Sequence, residues 1–306
     1  MYELNTIISL PAPPPFHFEA TAYSHGWAVL APTQWHAEQR AIHRVERLAT
    51  GRIVGLEITG AGPPSAPSLN IGVESDTALS PAEADEIRRK VGHMFRLDED
   101  LSGFYAMCAT RGEPWASADV GLGRLLRSPT LFEDIVKTIA TTNTQWGGTK
   151  RMIAALVGAL GDPLPGDSAR RAFPTPEAMA AAPPELFTKV ARFGYRGPYV
   201  AELARRVASG ELDLEALLHS DRPTAELKKE LLAIKGVGPY AAATLLMLIG
   251  RYDEIAYDTV FRDFVSGRYF NGERPDPRTL TAVYDDWGAW RYLAYWLELW
   301  LDEPAA

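Results

Sequence analysis

The 306-residue sequence has a single cysteine, Cys108. That excludes an intrachain disulfide, a cysteine-based zinc site and a four-cysteine iron–sulfur cluster, and it fits a reducing compartment. No uninterrupted apolar run reaches about 18 residues, so no membrane span or membrane partner is expected. The first residues, MYELNTIISLPAPPPFHF, have neither a basic start nor a long apolar stretch. No signal peptide is therefore expected, and the chain is expected in the cytoplasm, on the nucleoid if the cell is bacterial. There is no fixed-period repeat and no low-complexity tract beyond Pro11–Pro15. Positive charge is short too: 31 Lys and Arg face 39 Asp and Glu, a net charge of −8. Phosphate partners want Lys and Arg, so this balance counts against nucleic acid. It does not decide the matter, because amides at a helix N-terminus bind phosphate without a basic side chain.

What is present describes an ordinary globular chain, 46% hydrophobic and 23% charged. Its length suits two or three domains. Short β-branched or apolar segments fill the first part: His17–Ala22, Trp27–Leu30, Ala41–Leu48, Arg52–Thr59 and Ser68–Glu74. Gly, Pro, Ser and Asp punctuate them, which predicts an antiparallel sheet. After Leu79 the pattern changes. Ser80-Pro81-Ala82-Glu83 is a helix start, with an N-cap serine, proline at the first position and an acid in the first turn. Apolar residues at helical spacing then recur through Leu131–Ile139 and Met152–Leu160. Thr175-Pro176-Glu177, Pro183-Pro184-Glu185, Pro198–Val207, Thr224–Ile234 and Asp286–Leu301 mark further helices. The expected class is α+β, with a β-rich domain over 1–78 and a helical domain over 79–306.

One stretch of the helical part, about 231–250, carries more information. Leu227–Ile234 reads as a helix, Lys235-Gly236-Val237-Gly238 as a hairpin, and Pro239 opens a second helix at its N1 position. Gly236 suits a left-handed turn, Gly238 a close approach of another backbone, and Val237 points inward to anchor the turn. Outward-facing amides at the hairpin then make an anion site, which the helix dipole favours. Asp258 follows Tyr240 by eighteen residues and starts the next helix. Read alone, Gly-x-Gly is an ordinary helical turn, and Asp258 is an N-cap.

Together these residues resemble the helix-hairpin-helix DNA glycosylase superfamily, whose hallmark is Leu-x-x-Ile-x-Gly-Val-Gly, a helix, and an aspartate opening the next one. Leu231, Ile234, Gly236, Val237, Gly238 and Asp258 carry the match. Gly123–Arg127 with Thr141-Thr142-Asn143-Thr144-Gln145, and Phe193-Gly194-Tyr195-Arg196-Gly197-Pro198-Tyr199-Val200, resemble segments of the 8-oxoguanine glycosylase branch. The β-rich start is similar to the N-terminal domain of that branch and of the 3-methyladenine glycosylase II branch. The resemblance is clear over about 120–300 and weak over 1–115.

Breaking an N-glycosidic bond develops positive charge at C1′, and a fixed carboxylate stabilises it and orients water. The resemblance implies that Asp258 has this role. Bifunctional members carry a lysine just after the hairpin; Tyr240 stands there, which implies a monofunctional enzyme with water as nucleophile. The target base has to leave the helix, and Tyr240, Tyr257, Trp146 and Trp27 are candidates to receive it. Electron-rich rings suit a cationic alkylated purine through cation–π attraction. Asn143 and Tyr195-Arg196 pull instead toward an 8-oxoguanine-like reading of the opposite strand. Gly236, Val237, Gly238 and Thr244 are the candidate DNA contacts at the hairpin. The basic clusters Arg124/Arg127, Lys150/Arg151 and Lys189/Arg192/Arg196 lend further support if they share its face.

The implied partner is double-stranded DNA with damaged bases, bound by a monomer without a cofactor. No metal is expected, apart from a monovalent cation on hairpin carbonyls implied by the family. Glycosylase action on an oxidised or deaminated purine, a non-catalytic DNA clamp, and a purely structural helical protein stay open as other readings.

Overall fold

The structure is a computed structural model that describes residues 6–302. The chain forms two compact units. One joins Met1–Asp98 to Arg124–Glu215, and the other joins Glu99–Gly123 to Ala216–Ala306.

The first unit holds a five-stranded antiparallel sheet. Its strands are β1 (Thr6–Pro11), β2 (Gln34–His36), β3 (Ala41–Arg47), β4 (Ile53–Ala61) and β5 (Ser68–Glu74), in the order β1-β5-β4-β3-β2. Its register places four isoleucines in one row: Ile8 opposite Ile71, Ile71 opposite Ile58, and Ile58 opposite Ile42. All four are buried, and side chains alternate along a strand, so this row fixes which face is interior. Burying each contributes about 1.5–3 kcal/mol.

Arg44 lies two residues from Ile42 on that face and meets Glu133 of the Leu131–Thr141 helix through two bonds, of 2.9 and 2.6 Å. Lys137, one turn on, pairs with Glu133 at 2.7 Å. Burial alone would raise the Glu133 carboxyl, but Arg44 and Lys137 hold it down at about 2. Removing one member of such a buried set costs about 3–5 kcal/mol, because an uncompensated charge is left behind.

Two segments expected as strands are helical. Residues Phe18–Ala22 form a helix whose first turn is capped by His17 Nδ1, accepting from the Ala20 amide at 3.2 Å. Gly26–Val29 is a 3₁₀ turn closed by the Leu30 amide on the Trp27 carbonyl. Besides an antiparallel pair of short strands, Pro163–Leu164 and Asp167–Arg171, inside the stretch expected to be helical, two strands of the main sheet were not foreseen, β1 and β2. Both lie at sheet edges, where proline is tolerated and short strands suffice. The main sheet ends at Glu74, and the helix start expected at Ser80-Pro81 is present, with Ser80 and Glu83 forming a capping box. The compact units are drawn through other residues, since the sheet shares its interior with later elements: Val45 and Ile53 cluster with Leu164 and Ala172.

The second unit is helical. It contains Ser102–Arg111, Thr224–Leu232, Pro239–Leu248, Thr259–Tyr269, Pro277–Ala282 and Arg291–Asp302. Aromatic rings fill it. Phe261 meets Tyr295 edge-on at 4.9 Å, and Trp115 and Phe104 pack on Trp287. A buried carboxylate, Glu298, accepts from the Tyr284 hydroxyl at 2.6 Å and from the Tyr269 hydroxyl at 2.8 Å. No helix among the described residues is long and apolar enough to cross a membrane.

Candidate functional site

In the second unit the Thr224–Leu232 helix ends, the chain turns, and Pro239–Leu248 begins with proline in its first turn. Gly236 has φ +89°, a left-handed value that only glycine adopts cheaply. Val237 is 6% exposed, and its amide closes the turn on the Ile234 carbonyl at 3.0 Å. The amides of Gly236 and Gly238 find no acceptor among the described residues. A side chain built at Gly238 would meet nothing within 4 Å. The turn therefore presents bare backbone and open space just before a helix N-terminus. Thr244 departs from expectation. It is buried, and its one hydroxyl proton goes to the Tyr240 carbonyl of its own helix, so it has none for a phosphate.

Asp258 is the N-cap of Thr259–Tyr269, with Oδ1 accepting from the Phe261 amide at 2.8 Å. It is half-buried. Burial raises its carboxyl above the usual range, against the pull of the Phe261 and Val260 amides, and Asp263 adds to the rise. Tyr292 on the last helix was not foreseen. Burial holds its phenol neutral, and Tyr295, Tyr240 and Asp258 add to that, so each of these three lies within electrostatic range of Tyr292. Tyr292 is stacked on Trp296 at 5.9 Å and 8°. The sequence hinted at this only through the density of Trp and Tyr in the last helix. Tyr257 packs at 5.5 Å on Phe261. A partly desolvated acid among rings can stabilise a developing cation and hold a flat apolar group.

In the first unit Asn143 sits at φ +45°, just past a helix end, and donates from Nδ2 to the Tyr195 hydroxyl at 2.9 Å. Both are exposed, Tyr195 at 55%. The two motifs thus meet although fifty-two residues separate them. Arg196 is turned inward. Its Nε donates to Thr142 Oγ1 at 3.1 Å, and its guanidinium lies 4.5 Å from the centre of the Tyr195 ring. Arg196 therefore braces Tyr195 and does not face a phosphate.

Arg124 and Arg127 are also buried and donate to main-chain carbonyls, of Arg96 and His93 respectively, so they drop out as a DNA-facing pair. Trp27 is 5% exposed, with its indole N–H on Asp134 at 2.7 Å, and is an interior residue. Trp146 is 39% exposed and lies against Gly26, where a Cβ would come within 2.2 Å of its ring. A cavity of about 680 Å³ in this unit, walled by Phe132, Phe173 and the Arg44–Glu133 pair, contains none of the expected residues. No group of three or more His, Cys, Asp or Glu among the described residues is arranged to hold a metal ion.

No protein-family model matches the chain. A DNA-3-methyladenine glycosylase of Bacillus subtilis is 29% identical over 173 residues, which are 55% of this chain and 55% of that protein. The chain thus spans about half the length of the curated relative it matches. Among solved structures, a 3-methyladenine DNA glycosylase from Archaeoglobus fulgidus superposes with a TM-score of 0.74 at 21% identity, over 96% of this chain and 98% of that one. An 8-oxoguanine glycosylase/lyase from Clostridium acetobutylicum, bound to DNA with cytosine opposite 8-oxoguanine, gives 0.72 at 16% identity, over 99% of each chain. The α+β architecture, with its sheet followed by helices, is the fold of these proteins.

Proposed function

We propose that this chain, which has the fold and hairpin motif of the helix-hairpin-helix DNA glycosylases, hydrolyses the N-glycosidic bond of a damaged base in duplex DNA as a step of base excision repair. The observation that carries the reading is Asp258. It is a half-buried acid with a raised pKa, fixed at a helix start in the same unit as a hairpin whose glycine amides are free. The Gly236 and Gly238 amides bind a backbone phosphate, assisted by the dipole of the helix that follows. The base swings out of the stack, and Asp258 stabilises the cationic sugar while it orients the attacking water. The proton the water loses passes to the departing base or to solvent.

Tyr240 and Tyr257, neither of them fully buried, supply ring faces for the base in this unit. Asn143 and Tyr195 contact the opposite strand where the base has left. Tyr240 offers no amine, so no Schiff base forms and the product is an intact abasic strand.

The favoured substrate is an alkylated purine such as 3-methyladenine. Its positive charge suits electron-rich rings, and the relative from Bacillus subtilis carries that name. The Asn143–Tyr195 bond favours a second substrate class, an oxidised purine read through its partner base.

The test is base release from duplexes carrying 3-methyladenine, 7-methylguanine, 8-oxoguanine, hypoxanthine or uracil, with wild type and Asp258→Asn, before and after alkali. Release that needs Asp258, with strand breaks only after alkali, is the expected result. Tight duplex binding with no release would leave a DNA-binding module. Breaks without alkali would overturn the monofunctional assignment.

A further inference from the structure

In the second unit the carboxylate of Glu298, 1% exposed, gathers three donors. The Tyr284 hydroxyl donates to Oε2 at 2.6 Å, the Tyr269 hydroxyl to Oε1 at 2.8 Å, and Arg268 Nε to Oε1 at 3.1 Å. Burial raises both phenols above their ordinary range and Glu298 raises them further, so both remain donors. Arg268 and Tyr269 end the helix that Asp258 opens. Tyr284 acts nearer the start of that helix. Its buried ring lies 6.4 Å from Phe261, in the first turn, and 5.8 Å from Tyr295, which meets Phe261 edge-on at 4.9 Å. Phe261 is thus seated on two tyrosines, and its amide is the one that Asp258 Oδ1 accepts.

Packing alone does not ask for this arrangement. A phenylalanine at position 284 would fill nearly the same space with no hydroxyl to desolvate, and a buried carboxylate costs more still. What the pair adds is direction. A short bond to a carboxylate holds the ring against tilting and sliding, and apolar burial, which has no direction, does not.

We infer that Glu298 is a positioning residue for Asp258: through Tyr284 it seats Phe261, and so sets where the first turn of the helix holds the acid. The inference rests on the glycosylase reading and deepens it.

Tyr284→Phe removes one hydroxyl and keeps the ring, and two quantities are read in the full chain. Exchange of the Phe261 amide, followed by NMR, speeds about 10-fold, while that of Leu246 in the preceding helix stays as in wild type, so the loosening is local. Single-turnover base release at saturating duplex slows about 10-fold or more, the order expected for a reacting group displaced by part of an ångström. Affinity for an abasic duplex is unchanged. Glu298→Gln offers one oxygen to the three donors and moves both readings the same way. Added to Tyr284→Phe it changes little more, because the two act along one path. Tyr269→Phe, at the far end of the helix, leaves both readings near wild type. Unchanged release or unchanged Phe261 exchange in Tyr284→Phe overturns the inference. So do effects of Tyr284→Phe and Glu298→Gln that multiply, or a Tyr269→Phe effect as large as that of Tyr284→Phe. Should Glu298→Gln fail to fold, Tyr284→Phe against Tyr269→Phe decides. If wild type releases no base from any duplex, the glycosylase reading falls, and Phe261 exchange alone then decides whether Glu298 sets the turn.

Discussion

At Asp258 one side chain has two duties that pull its protonation in opposite directions. Capping amides favour the carboxylate, whereas burial favours the neutral acid, and burial wins. Catalysis through charge needs the ionised form. Base release should therefore fall as the pH drops through a value above the ordinary carboxylate range, while residual release by Asp258→Asn stays flat over that interval. The amide keeps an acceptor for the Phe261 amide, so the cap survives and the comparison isolates charge. A wild-type profile that breaks no higher than a free aspartate would contradict this.

Asp134 gives a second residue-scale prediction, in stability. Burial raises its folded pKa to about 6, despite the bonds from Ser128 and Trp27 that favour its charge. The unfolded value is about 3.9, so the fold prefers the protonated acid. That preference stabilises fully below about pH 4 and is lost as the pH rises through about 6. Ionised Asp134 is thus a burden on the fold of order 2–3 kcal/mol at neutral pH. Denaturant midpoints should show Asp134→Asn gaining on wild type at about pH 8 relative to about pH 4. Equal differences at the two pH values would mean that Lys137 neutralises the carboxylate fully.

At the scale of elements, the hairpin separates two glycines of different purpose. Gly236 serves the fold: at φ +89°, Gly236→Ala forces a left-handed backbone, costing about 1–2 kcal/mol and lowering the melting temperature. Gly238 has φ −91° and ψ −176°, which any residue adopts, and open space beside it. Gly238→Val should leave the melting temperature near wild type and remove affinity for an abasic duplex, because the side chain fills the place of the phosphate. Thermal melts beside duplex titrations check both, and a Gly238→Val that binds normally would remove the hairpin from the interface.

The same stretch shows what was legible. Gly-Val-Gly-Pro is read through backbone rules, and those rules are local, so the turn, the buried Val237 and the helix start all follow from the string. Phe18–Ala22 was misread as a strand because its cap is a histidine ring, outside the usual Ser, Thr, Asp and Asn. Arg124, Arg127 and Arg196 were misread for a different reason. A cation is ordinarily solvated, and nothing local reveals that a distant carbonyl will take its protons. Tyr292 was missed because its significance lies in proximity to Asp258 across thirty-four positions of sequence, which no spacing rule encodes.

For the molecule as a whole, the net charge of −8 and the proposed DNA partner stand in tension. Much of the basic inventory is occupied internally. Arg44, Arg47, Arg52, Lys90, Lys137 and Arg170 are paired with acids in the first unit, and Arg222, Lys228, Arg262 and Arg268 in the second. Lys150, Arg151, Lys189 and Arg192 are exposed and make no ion pair among the described residues. If these four are the cations that meet phosphate, counterion release gives a slope of log K against log salt no steeper than about −4. Backbone amides then supply the rest of the affinity. They carry only partial charge, so their share depends weakly on salt.

Abasic-duplex affinity measured across a salt series checks this. A shallow slope with good affinity at high salt is expected, and Gly238→Val should lower affinity nearly equally at every salt concentration. A slope near −8 would mean that about nine cations meet phosphate, and would overturn the assignment to these four.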